Sequence, residues 1–257
     1  PEEMKTLGQT EFVQGIVAQN ASGRYGNIDV AAGIVAFANL AIGSDVERVL
    51  EAHQAVTPNL RGVRHITAFD GSPDVPRPRP FPEGLLGDAK FREGFAVLEK
   101  LGLSFDAYIY HPQLHELADL ANAFPGVTII LNHVGGPLGV GPYASKRDQI
   151  FEEWKDSMTA VAASPNVVVK VGGLVMPVCG FDWHERAMPT TSGSLAQATA
   201  PYYLHCIEQF GPNRCMFESN FPVDKIACSY TVLWNAFKRL AHDFSPSEQA
   251  ALFHDTA

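Results

Sequence analysis

The sequence is short of cations, of cysteine and of long apolar runs. Its 257 residues carry 19 Lys+Arg against 28 Asp+Glu, a formal charge of −9. That deficit argues against a general nucleic-acid or membrane-surface binder, because both need a local excess of positive charge facing phosphate. The longest apolar stretches, 30–40 and 127–131, stop short of the ~20 residues a bilayer-spanning helix requires. Neither nucleic acid nor membrane is therefore an expected partner. The chain opens Pro1-Glu2-Glu3, without a basic start, an apolar leader core or an initiator Met. No secretory leader is read there, and residue 1 is taken to lie downstream of the start of translation. The four cysteines, Cys179, Cys206, Cys215 and Cys228, form no C-x-x-C pair. They are read as reduced thiols of a cytoplasmic protein, and a zinc site built on them is not expected.

What is present is a globular balance, 46% hydrophobic and 18% charged, which excludes disorder, collagen and coiled coil. Six short apolar runs stand out, at 30–40, 62–69, 103–110, 127–134, 167–174 and 215–221. Several are near-continuous rather than alternating, the pattern of strands covered on both faces of a parallel sheet. Helical spacing follows them. The stretch 44–55 opens on Ser44 as N-cap, 88–101 ends at Gly102, 112–124 ends at Pro125, and 146–163, 201–210 and 229–242 continue the series. A last helix is expected from Ser245-Pro246, and 2–19 reads as an opening helix. Strand–helix alternation of this kind means an α/β chain with a parallel sheet. Two long loops, 72–87 and 175–199, both follow strands and so belong to the face where such folds keep their sites.

The polar residues at the strand ends are the candidates for chemistry. Arg64 lies in the second run, Tyr110 and His111 close the third, and Asn132 and His133 close the fourth. Lys170 lies in the fifth, and Glu218, Asn220 and Asp224 surround the end of the sixth. Each alone suits an ordinary strand terminus, but their recurrence from strand to strand points to one site. His133 precedes Gly135-Gly136, which leave room beside an imidazole able to bind a metal, polarise a carbonyl or move a proton. Lys170 suits an oxyanion or an ion pair with Glu218 or Asp106, and Arg64 suits a substrate carboxylate through its bidentate fork.

Five segments occur in order: Leu60-Arg61-Gly62-Val63-Arg64-His65, Gly102-Leu103-Ser104-Phe105-Asp106 with Gln113-Leu114 behind it, Leu131-Asn132-His133-Val134-Gly135-Gly136-Pro137, Val169-Lys170-Val171-Gly172-Gly173-Leu174 and Arg214-Cys215-Met216-Phe217-Glu218-Ser219-Asn220-Phe221-Pro222-Val223. Together they resemble the amidohydrolase-2 group of metal-dependent-hydrolase-like TIM barrels, which includes pyrone-dicarboxylate and sugar lactonases. The resemblance implies a distorted (β/α)8 barrel that opens a lactone or ester of a small carboxylated substrate by water attack. It implies His133 and position 220 as catalytic groups and as ligands of a divalent metal such as zinc. Two departures stand out. Position 220 is Asn where the family pattern has Asp, so Glu218 or Asp224 is expected to take the proton. No His-x-His occurs among the nine histidines, and His111 with His115 is a poor substitute. The catalytic set is thus His133, Lys170, Asn220, Glu218 and Asp224, with Arg61, Arg64, Tyr110 and His111 binding substrate.

Six units fill a length in which eight are usual. The reading is therefore one barrel domain over 1–257, incomplete at both ends, with the first one or two strands outside the chain. A zinc-type decarboxylase of an aromatic acid and a catalytically inactive ligand-binding barrel are the competing readings. Phe81, Phe181, Trp183 and His184 in the long loops are expected to shape the pocket or a homo-oligomer contact.

Overall fold

The computed structural model describes residues 2–257. It contains one sheet of six parallel strands in the order β1 to β6: β1 (Ile34–Ala36), β2 (Leu60–Ile66), β3 (Ser104–Tyr108), β4 (Ile129–Leu131), β5 (Val167–Val171) and β6 (Cys215–Phe217). Each strand pairs with its sequence neighbour, and β1 and β6 form the two edges of the described sheet. The helices are α1 (Leu7–Asn20), α2 (Glu47–Val56), α3 (Ala89–Leu101), α4 (Leu114–Ala123), α5 (Arg147–Ala162), α6 (Ser192–Phe210), α7 (Tyr230–Leu240) and α8 (Pro246–Ala250). This succession of neighbouring parallel strands joined by helices is the TIM-barrel arrangement. No helix among the described residues is long and apolar enough to cross a membrane.

Strand alternation sorts the side chains into two layers. Phe105 of β3 packs against Phe91 and Phe95 of α3, with ring centroids 6.1 and 5.1 Å away. Val167, Val169 and Val171 of β5 are fully buried. The other face of the same strands carries Arg64, Asp106, Tyr108 and Lys170 toward the interior of the sheet's curve, and the register sets Arg64 beside Asp106. Period-2 geometry therefore turns the apolar set outward under the helices and the polar set inward.

All six expected strands are present, each ending earlier than its apolar run because the last residues of every run already belong to the loop that follows. Asp88 caps α3 by accepting from Phe91 N–H, and Gly102 ends it in the left-handed region at φ 64°. Three helix starts differ from expectation by three residues or more, the first being α1, which begins at Leu7 after 3-10 turns over Glu2–Thr6. Residues Leu40–Val46 form 3-10 turns, so α2 begins after Val46 and not at Ser44. Helix α6 begins at Ser192, capped by Thr191, and runs through Pro201, so the long loop ends eight residues sooner than the sequence suggested.

Candidate active site

The interior polar groups meet at the C-terminal ends of the strands. His133 follows β4 in the left-handed region at φ 55°, and Asn220 follows β6 at φ 50°. Positive φ at a non-glycine residue is strained backbone, which persists where the surroundings over-determine it. Room for His133 comes from the Gly172-Gly173 turn after β5. A Cβ on Gly173 would stand 2.7 Å from the His133 Cβ, and one on Gly172 would stand 2.5 Å from the Glu218 Cγ.

Glu218 Oε1 accepts from the His133 backbone N–H at 3.1 Å and lies 2.5 Å from its Nδ1. On the far side of the ring, His133 Nε2 is 3.0 Å from Arg64 Nη2. A guanidinium only donates, so Nε2 accepts and the ring proton sits on Nδ1, held by Glu218. Burial would raise the pKa of Glu218, but its contact with His133 and the nearby Lys170 and Arg64 cations outweigh this and hold it below the usual carboxylate value. Lys170 Nζ donates to Asp106 Oδ2 at 2.5 Å, and Asn132 Nδ2 donates to the same oxygen at 3.1 Å. Two cations, Arg64 and Lys170, thus face two carboxylates, Asp106 and Glu218. The Arg64 Nε is buried without a hydrogen-bond partner.

The remaining sequence candidates divide. Asn220 Nδ2 donates to Asp224 Oδ1 at 2.7 Å, which ties position 220 to a fully buried acid. Burial pushes the Asp224 carboxyl up to about 8. It therefore stays largely protonated at neutral pH and is no ready base. Arg61 does not join the site. It sits at the N-terminal end of β2, three residues from Arg64 and so on the opposite face, and donates to the carbonyls of Pro58, Leu60 and Ala32. Tyr110 Oη donates to Pro76 O at 2.6 Å, and His111 Nδ1 accepts from Leu138 N–H at 3.2 Å. Those two side chains anchor loops. Tyr108 was missed by the sequence reading. Its ring lies 5.0 Å from the His133 ring and 5.5 Å from the Arg64 guanidinium carbon, and burial raises its hydroxyl pKa to about 12. The available signal was its spacing, two residues beyond Asp106 on the same strand face.

The described residues alone do not complete a site for a divalent ion. No group of three His, Cys, Asp or Glu among them is arranged to hold one. The imidazole nitrogen that would ligate a metal faces a guanidinium at 3.0 Å, and the Asn220 amide is engaged with Asp224. All four cysteines are free and buried.

The comparisons agree on one family. Its sequence model, described as amidohydrolase, matches residues 16–257. The uncharacterized protein y4mH of Sinorhizobium fredii is 37% identical over 258 residues, covering 97% of this chain and 73% of that protein. An L-fucono-1,5-lactonase of Burkholderia multivorans is 27% identical over 227 residues, 88% of this chain and 70% of that protein. Among solved structures, an amidohydrolase of Burkholderia multivorans with bound HEPES superposes at a TM-score of 0.73 and 25% identity, covering 95% of this chain and 76% of that one. The same description appears for a form with bound zinc, at a TM-score of 0.72. With a family match over nearly its whole length, parallel strands in barrel order and a polar site at their C-terminal ends, the chain belongs to the amidohydrolases, a family of hydrolases.

Proposed function

We propose that this site opens the ring of a small, uncharged lactone by addition of water. The observation that carries the reading is the chain Glu218–His133–Arg64, in which a carboxylate fixes the imidazole tautomer and leaves the Nε2 lone pair facing the Arg64 guanidinium. His133 is then the base. As Arg64 leaves Nε2 for the lactone carbonyl oxygen, its guanidinium and the Lys170 ammonium stabilise the oxyanion that forms. The Nε2 lone pair takes a proton from the attacking water while its oxygen bonds to the carbonyl carbon. Collapse breaks the bond from that carbon to the ring oxygen, and the Nε2 proton passes to the departing alkoxide. The product is the open hydroxy acid, and Glu218 holds the Nδ1 proton throughout.

Charge supports an uncharged substrate class. Arg64 and Lys170 are matched by Asp106 and Glu218, so the site carries no net positive charge to offset a permanent substrate carboxylate. A neutral ring therefore suits the pocket better than the carboxylated substrate the sequence suggested, because an added anion would be desolvated without a partner. The name of the Burkholderia lactonase relative supports a sugar lactone. The decarboxylase reading needs a metal for which the described residues offer no donor set. An inactive barrel has no call for a strained, carboxylate-oriented histidine.

The test is a panel of aldonolactones followed by acid release in weakly buffered solution, with the uncatalysed rate subtracted. His133→Ala is expected to lower kcat by about 10²–10⁴-fold. If no lactone is opened above background, or if His133→Ala turns over like the parent protein, the reading is wrong.

A further inference from the structure

Between the segments that follow β5 and β6 lies a cavity of about 420 Å³. One wall is the segment after β5, with Trp183, His184 and Arg186, and the other is the segment after β6, with Lys225 and Ile226. Trp183 is nearly buried and forms an aromatic floor. The Arg186 guanidinium carbon lies 5.6 Å from its ring centroid, which fixes that cation over the cavity without neutralising it. Neither Arg186 nor Lys225 enters an ion pair among the described residues. Of the two acids of this stretch, Asp182 and Glu185, the second is turned to His184, with Oε1 3.8 Å from Nε2. In a chain of formal charge −9, two unneutralised cations across one cavity are a local reversal of the molecule's field.

The link to the catalytic pocket is one residue long. Lys225 follows Asp224, whose carboxyl accepts from Asn220 at the end of β6. The site and this cavity differ in the property that the reaction changes. The inner site has balanced charge, whereas the outer one carries an excess of cations. Ring opening converts a neutral lactone into a hydroxy acid, which ionises at neutral pH.

We propose that the Trp183–Arg186–Lys225 cavity is an outer subsite for a small polyhydroxy carboxylate, the ionised product of the reaction. The proposal rests on the lactonase reading for the identity of its ligand. Arg186 and Lys225 hold the carboxylate from opposite walls, and the Trp183 ring packs against the carbon chain. The product anion is drawn out of a pocket that contains Glu218 and Asp106 into one that attracts it, which clears the site for the next neutral ring.

The test uses gluconate as probe and direct binding by calorimetry at low salt, so that catalysis is not needed for the readout. Gluconate is expected to bind the whole protein weakly. Arg186→Ala with Lys225→Ala together should weaken it at least fivefold, as should raising the salt from 50 to 500 mM. His133→Ala should leave it in place. Gluconate affinity that is indifferent to the double substitution, or lost on His133→Ala alone, would overturn the proposal. The two readings fail separately. Gluconate held by Arg186 and Lys225 in a protein that opens no lactone sinks the lactonase reading only. Lactone turnover with a gluconate affinity blind to the double substitution sinks the outer subsite only.

Discussion

At the scale of single residues, the site depends on how closely the Gly172-Gly173 turn after β5 approaches His133. Gly173 sits at φ 75°, and any Cβ there would stand 2.7 Å from the His133 Cβ and 2.8 Å from its Nδ1. Gly173→Ala is therefore expected to push the imidazole off Glu218 and lower kcat about 10²-fold, since a displacement near 1 Å at a reacting group costs that much. Gly102 is the control. It also has a positive φ, 64°, but nothing lies within 4 Å of its missing Cβ. Gly102→Ala should cost ~1 kcal/mol of stability from backbone strain and leave turnover alone. Steady-state kinetics and urea unfolding of both variants separate the two effects. The same scale explains which site residues the sequence made legible. His133, Lys170 and Glu218 could be found because they interrupt or end apolar strands. Arg61 could not be separated from Arg64 by residue type, and only the alternation of side chains along β2 puts them on opposite faces. Tyr108 was missed because a tyrosine inside an apolar run reads as core.

At the scale of elements, much of the architecture is held from the end opposite the site. Arg214, just before β6, donates through Nε to Phe210 O at 3.0 Å, through Nη1 to Ser164 O at 2.9 Å and Val167 O at 3.3 Å, and through Nη2 to Ala162 O at 3.0 Å. One planar fork thus ties the end of α6 to the end of α5 and the start of β5. Asn166 does the same for α4 and β4, donating to the carbonyls of Ala121, Phe124 and Val127. Arg214→Lys keeps the charge but loses the fork, leaving some of these carbonyls without a donor. The expected cost is about 2–3 kcal/mol, read as a Tm lower by roughly 5 °C or more, with KM unchanged because the clamp lies at the N-terminal ends of the strands. The sequence shows Arg214 only as part of a motif, without a hint that its partners are carbonyls some 50 residues earlier. Helix α6 was likewise misjudged at its start. Ser192-Gly193-Ser194 has the composition of a loop, and Pro201 resembles a first-turn proline. The deciding contact is the Thr191 hydroxyl accepting from Ser194 N–H at 3.1 Å. Strand order, by contrast, follows directly from repeated strand–helix alternation, because each crossover of this length brings the next parallel strand beside the last.

At the scale of the whole molecule, groups buried in different layers give stability a pH optimum. His65 lies under the helices among Phe37, Phe81 and Phe91, and burial lowers its pKa to about 4. His111, anchored to Leu138, is lowered to about 4 by the same cause. Both are depressed below the ~6.5 of an unfolded chain. As pH falls through that value, the unfolded chain takes up protons that the folded one refuses. Stability is thus lost between pH 6.5 and about 4, by roughly 1.4 kcal/mol per group per unit. Asp224 acts in the opposite sense. Its folded value of about 8 stands above the ordinary 3.8, so the folded chain holds a proton that the unfolded one has released. That term favours folding as pH falls from 8. Above pH 6.5 Asp224 acts without the histidines and stability rises on acidification. Below pH 6.5 His65 and His111, joined by His53 whose pKa burial also lowers, oppose one aspartate, and stability falls. Urea unfolding at pH 5, 6.5 and 8 should therefore place the maximum near 6.5. Asp224→Asn keeps an oxygen to accept from Asn220 and should flatten the alkaline limb alone, while His65→Phe should soften the acid limb alone. A stability that climbs steadily from pH 6.5 to 8 would mean that Asp224 is ionised in the folded protein, and the acid beneath Asn220 would then be a third negative charge beside Asp106 and Glu218.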